Sequence, residues 1–129
     1  FNGLNHYEMK ILLVFVFSTL LLASCNKYSD KVAGTYIGQI SINDSITSIN
    51  SNIIISEISN KRISIASDFF NINELEIEKQ RYFGSITYFH NGDSYINLDL
   101  EIGETSTGLY LSLVYYDNLN NQYIFSGEN

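Results

Sequence analysis

The chain reads as an all-β domain, a small eight-stranded antiparallel up-and-down barrel or a flattened β-sandwich, behind an apolar amino-terminal segment. Two observations predict it. Apolar and polar residues alternate with a period of two through most of the chain beyond Gly34, as in strands with one buried face. Proline and tryptophan are absent while Ile, Ser, Tyr, Phe and Asn abound, which favours strands joined by Asn, Gly and Ser turns. No segment after Cys25 shows a long helical period.

Residues 1–8 precede Met9, the natural initiator candidate, and are read as an upstream extension outside the fold. Residues 9–24 carry Lys10, then an apolar run from Ile11 to Phe17 that resumes from Leu20 to Ala23, then small residues before Cys25. These are the basic, apolar and cleavage regions of a signal peptide. The apolar core of about thirteen residues falls short of the roughly twenty that a membrane-crossing helix needs, so a cleaved signal helix is expected rather than a permanent span. Residues 25–33 form a polar spacer behind the cysteine, and 34–127 a single β domain of ordinary size.

The first strand is expected from Thr35 to Ile42, with Tyr36, Gly38, Ile40 and Ile42 on one face. A polar stretch, Asn43 to Ser51, leads to a second strand over Asn52 to Ile58. That strand turns through Ser59-Asn60-Lys61 into a third, Arg62 to Ser67. In the fourth, Leu75 and Ile77 point inward while Glu74, Glu76 and Glu78 point to water. The fifth, Tyr82 to His90, is expected to meet the sixth at Asn91-Gly92, a dipeptide suited to a type I′ hairpin. Along the sixth, Ile96, Leu98, Leu100 and Ile102 alternate with Tyr95, Asn97, Asp99 and Glu101. Leu109, Leu111, Leu113 and Tyr115 line the buried side of the seventh. After a polar turn at Asp117 to Asn121, the last strand runs from Gln122 to Ser126, inward through Tyr123 and Phe125. Strands with one apolar face each must stack as two sheets or close on themselves, and closure removes exposed edges.

The net charge is −7, and it is unchanged when Lys10 and Glu8 are removed with the leader. An acidic surface argues against nucleic acid and against electrostatic docking on anionic lipid. Cys25 is the only cysteine, so no intramolecular disulfide can form, and stability must come from packing and hydrogen bonds.

Leu22-Ala23-Ser24-Cys25 resembles the lipobox of bacterial lipoproteins. The resemblance implies cleavage before Cys25, a diacylglyceryl thioether on its sulfur and acylation of the new amino terminus, hence a lipid-anchored protein of the cell envelope. Asn26 is not the aspartate that typifies inner-membrane retention, which makes the outer membrane the expected destination. Val32-Ala33-Gly34-Thr35-Tyr36-Ile37-Gly38 and the closing Tyr123-Ile124-Phe125-Ser126-Gly127 resemble small lipocalin-like, or calycin-like, lipoproteins of Bacteroidetes. Gly34-x-Tyr36 sits where lipocalins carry Gly-x-Trp, whose ring plugs one barrel end; here a tyrosine stands in its place. That likeness implies a binding module for a small apolar ligand held in the barrel.

The alternative is an interaction or inhibitor domain that meets another envelope protein through its outer surface. A cavity of roughly 300 Å³ or more lined by apolar groups points to the first reading, and a filled barrel with exposed tyrosines points to the second. Tyr82, Tyr88, Tyr95, Tyr110, Tyr115 and Tyr116 exceed what one small core needs, and an exposed set would mark a protein- or glycan-binding face. Enzyme chemistry is not expected. No Gly-x-Ser-x-Gly elbow occurs, and a pairing of Glu76 with Asp99 has no signature of its own. Neither metal nor cofactor is expected: His90 has no second nitrogen or sulfur ligand nearby, and Glu74, Glu76, Glu78, Asp99 and Glu101 lack a calcium-loop pattern. Asp44-Ser45-Ile46 resembles an O-glycosylation site of Bacteroidetes secreted proteins, with Ser45 as the acceptor.

Overall fold

The computed structural model describes residues 5–24 and 27–129, with 17–24 described as backbone alone. Helix α1 (His6–Ser24) covers the apolar amino-terminal segment. Its first turn is capped by Asn5, whose Oδ1 accepts from the Tyr7 and Glu8 amides while Glu8 reaches back to the Asn5 amide. Among the described residues no helix is long and apolar enough to cross a membrane. After the short helix α2 (Ser29–Val32) come β1 (Gly34–Ile42), β2 (Ser45–Ser59), β3 (Arg62–Ser67), β4 (Asn71–Glu76), β5 (Glu78–Tyr82), β6 (Ser85–His90), β7 (Leu98–Glu104), β8 (Leu109–Tyr116) and β9 (Gln122–Glu128).

The nine strands form one antiparallel sheet in the order β4-β3-β2-β1-β9-β8-β7-β6-β5. Pairing of β1 with β9, from Ile37↔Glu128 to Ile42↔Tyr123, joins the first strand to the ninth and curls the sheet into a nearly closed barrel. The remaining seam lies between β4 and β5, which are consecutive with only Ile77 between them. They behave as one bent strand that serves β3 with its first half and β6 with its second. β4 carries a bulge between Ile72 and Leu75, ahead of that bend. Two bonds pin it: the Ile77 amide donates to the Lys61 carbonyl at 2.8 Å, and His90 Nδ1 donates to the Glu76 carbonyl at 2.8 Å.

Period-two facing holds on almost every strand. Tyr36 and Ile40 of β1, Leu98, Leu100 and Ile102 of β7, Leu111 and Leu113 of β8, and Tyr123 and Phe125 of β9 are buried together with Leu75 and Ile77. β2 and β3 add Ile53, Ile55, Ile63 and Ile65. Each such side chain contributes about 1.5–3 kcal/mol by leaving water.

Three turns depart from expectation. Asn91-Gly92 does not form a type I′ hairpin, because residues 91–97 make a wide loop and neither residue has positive φ. Asp93 and Asp99 explain it by taking the nearby amides for themselves: Gly92 donates to Asp99 Oδ1, and Tyr95 and Ile96 to Asp93 Oδ1. The tight turns fall elsewhere. Asn43 (φ 49°) and Asp44 (φ 66°) join β1 to β2, so most of the polar stretch 43–51 is strand. Phe83 (φ 47°) and Gly84 (φ 82°) break the expected Tyr82–His90 strand into the β5–β6 hairpin. The fourth strand likewise divides at Ile77, which gives nine strands rather than eight.

The expected spacer contributes to the core. Val32 is fully buried, and its carbonyl accepts from Tyr36 Oη at 2.7 Å. The Tyr28 and Ser29 amides donate to the Asn60 carbonyl in the β2–β3 turn, so α2 is strapped across that end of the barrel. Burial pushes the Tyr36 hydroxyl up to about 12.

Candidate functional site

The end opposite α2 is formed by the β1–β2 turn and by the loops β3–β4 (68–70), β6–β7 (91–97) and β8–β9 (117–121). Here the aliphatic core stops at an aromatic layer. The Phe70 ring lies 4.9 Å from Tyr115 and 5.2 Å from Tyr123, and Tyr115 and Tyr123 stack at 5.8 Å. Above this layer, where the seam lets β4 and the 91–97 loop diverge, opens a cleft of about 740 Å³. Its walls are Asn71 to Glu74 of β4, Gly92 to Asn97 of the loop, and Tyr115 to Asn118.

Two aspartates shape those walls by accepting hydrogen bonds from the loops that carry them. Asp117 Oδ1 accepts from the Leu119 and Asn121 amides at 2.9 Å each; its Oδ2 accepts from Asn121 Nδ2 at 2.9 Å and Tyr123 Oη at 3.1 Å. The hydrogen bond from the Asn121 side chain is the main reason its carboxyl titrates below the usual range, and the backbone amides add to it. Asp93 is lowered in the same way, chiefly by the Ile96 and Tyr95 amides. Burial, reinforced by Asp117, raises the Tyr123 hydroxyl. The loops are also tied to each other: Tyr116 donates its amide to the Asn97 carbonyl at 3.0 Å, and Gln122 Nε2 donates to Tyr116 Oη at 2.6 Å.

Apart from Asp93 Oδ2, the unengaged groups are neutral. The side-chain amides of Asn71, Asn73, Asn97 and Asn118 make no hydrogen bond among the described residues, nor do the hydroxyls of Ser94 and Tyr95. Tyr116 Oη accepts from Gln122 and keeps its own proton to donate. No lysine or arginine lines the cleft, and Glu74 on its wall is held by Arg62 at 2.7 Å.

No protein family, curated protein or solved structure matches this chain. What the cleft can do is therefore read from its own donors and acceptors. Amides donate and accept in equal measure, tyrosines add flat apolar faces, and the missing cations leave nothing to neutralise an anion. The arrangement suits an uncharged, hydroxyl-rich ligand.

The residues singled out from sequence are dispersed. Cys25 lies outside the described residues. Ser45 is exposed at the first position of β2, beside the Asn43-Asp44 turn. Arg62 bridges Glu74 and reaches Glu76 at 3.8 Å, Asp99 holds the Gly92 amide, and Glu101 accepts from Tyr110 Oη, so these carboxylates stabilise the sheet face. His90 serves the seam through Nδ1, which must carry the proton because a carbonyl only accepts; its buried Nε2 has no partner. Among the described residues no three His, Cys, Asp or Glu groups gather as a metal site. The tyrosines divide: Tyr88 is buried, Tyr115 and Tyr116 line the cleft, and Tyr82 and Tyr95 are exposed. The cleft amides were missed because they come from three separate segments, each of which reads alone as an ordinary polar loop.

Proposed function

We propose that the chain is a lipoprotein of the bacterial envelope, anchored in the outer membrane through Cys25. Its barrel is a binding module rather than an enzyme, and it takes its ligand in the loop-end cleft. The observation that carries this reading is the 740 Å³ cleft with its unengaged amides. An uncharged oligosaccharide is the ligand class that fits best. A small apolar ligand in the barrel has less support, because Tyr36, Ile40, Ile53, Ile63, Leu98, Leu111 and Phe125 fill the interior as fully buried side chains.

Ligand-observed NMR with neutral oligosaccharides and a fatty acid tests the choice. Saccharide signals lost in Asn73→Ala support the cleft, whereas fatty-acid signals alone return the ligand to the barrel interior. The anchor has its own test: Cys25→Ala should abolish incorporation of labelled fatty acid, and continued labelling overturns it.

A second reading, docking on an envelope protein through the outer face, draws support from Ile37, Ile46, Ile49 and Ile54. These isoleucines stand 47–69% exposed on β1 and β2.

A further inference from the structure

The net charge of −7 conceals a separation of charges. From Lys27 onward the basic side chains are Lys27, Lys31, Lys61, Arg62, Lys79 and Arg81, and all belong to the α2 end or to the β5 strand beside it. Asp30, Glu78, Glu104 and Glu128 share that end, so its surface is mixed. At the far end each of the four connections carries an aspartate, Asp44, Asp68, Asp93 or Asp117, and none carries a cation. Lys27 is paired with Glu57 at 2.8 Å and Arg62 with Glu74, which leaves Lys31, Lys61, Lys79 and Arg81 without a carboxylate partner among the described residues.

A second feature of the same end needs a partner. Every residue of β5, the edge strand of the sheet, is exposed, whereas β6 behind it packs Tyr88 and Ile86 on the core. At its tip Phe83 is 92% and Tyr82 68% exposed, their rings edge-on at 4.5 Å and packed on each other rather than on the core. Phe83 also holds a left-handed backbone conformation that an aromatic residue rarely adopts. The hairpin is aimed from the base where the chain arrives: Lys79 Nζ lies 5.8 Å from the Tyr28 ring centre. From Lys79 to Tyr82 the strand advances about 10 Å, and the residues from Tyr28 back to Cys25 span at most about 10 Å.

We infer that the Tyr82–Phe83 tip is a second membrane contact, seated at the headgroup boundary of the bilayer that holds the Cys25 anchor, with Lys79 and Arg81 against lipid phosphates. This rests on the anchored reading of Cys25. Aromatic rings with a polar edge favour that boundary, and basic groups beside them favour the phosphate layer. The contact turns the acidic end, and the cleft with it, away from the membrane into water.

The chain has no tryptophan, so Phe83→Trp introduces a single reporter. The full chain, matured in a bacterial host and purified with its anchor, is reconstituted into vesicles of phosphatidylethanolamine and phosphatidylglycerol. The expected result is co-flotation with lipid, blue-shifted indole emission and quenching by lipids brominated on the upper acyl chain. Tyr95→Trp at the far end should stay water-like and unquenched. Tyr82→Trp gives the same reading should Phe83→Trp fail to fold. Protein that floats with a water-like, unquenched indole at the tip overturns the contact and leaves the anchor standing. Protein that does not float overturns both.

Discussion

The two ends of this barrel are closed by opposite means. At one end the chain closes it with backbone: α2 crosses the opening, and Tyr36, wholly buried, donates to the Val32 carbonyl. At the other end side chains do the work, with Phe70, Tyr115 and Tyr123 forming a lid and aspartates folding the loops above it. The first fills that end with the buried Val32 and Tyr36. The second leaves a polar cleft, because loops shaped by carboxylate–amide bonds need not pack on each other. Sealing with backbone fills one end, and sealing with side chains leaves the other indented.

The largest expected effect separates these modes. Tyr36→Ala should cost about 3–5 kcal/mol, in the range of large aromatic truncations in cores. Phe70→Ala, at the half-open mouth, should cost less. Urea midpoints measure both, and a reversed order would break the comparison. Tyr36→Phe is milder, about 1–3 kcal/mol, because it strands the Val32 carbonyl without its donor.

Titration should then sharpen the contrast. Tyr36 is raised from 10.0 to about 12, so its neutral form stabilises the fold fully below pH 10, and that contribution is lost as pH climbs to about 12. Tyr123 is raised as well, so alkali acts at both ends. Asp93 and Asp117 are depressed below 3.8, so their contribution is present above that value and disappears as acid takes the pH through their folded values. Acid should therefore loosen the cleft end first. Amide exchange followed residue by residue checks this, and acid opening that begins at α2 would contradict it.

Within the cleft, Asn73→Ala or Tyr116→Phe should weaken an oligosaccharide about fivefold per lost hydrogen bond, roughly 1 kcal/mol. Tyr36→Phe should leave that affinity unchanged. The smallest effect is expected at the hairpin tip. Gly84→Ala meets no atom within 4 Å and pays only for its φ of 82°, about 1 kcal/mol by the cost of left-handed backbone. A thermal melt resolves it.

How far the fold was legible follows from where side chains decide. Alternation on β7 and β8 is enforced by burial, so Leu98 to Leu113 were readable. Turn positions were not, because they depend on competition for amides. Asn91-Gly92 carried the stronger hairpin signal, yet Asp93 and Asp99 took its neighbouring donors, while Asn43-Asp44 and Phe83-Gly84 made the tight turns. The first half of β2, rich in Ser, Thr and Asn, looked like loop, but its pairing with β1 needs only backbone. The cleft was illegible for a further reason: nothing local shows that Asn73, Asn97 and Asn118 face one cleft.

The β1–β9 pairing also governs how the molecule comes into being. Gln39 meets Ser126 and Ile40 meets Phe125, so the first strand waits for the ninth before its second neighbour is in place. Loop closure over such a span is slow, and a non-local pairing of this kind lowers the folding rate. Until then β1 has only β2 beside it, and the chain remains an open ribbon that can be threaded, handed on or degraded. Completion of the last strand commits it to a single shape.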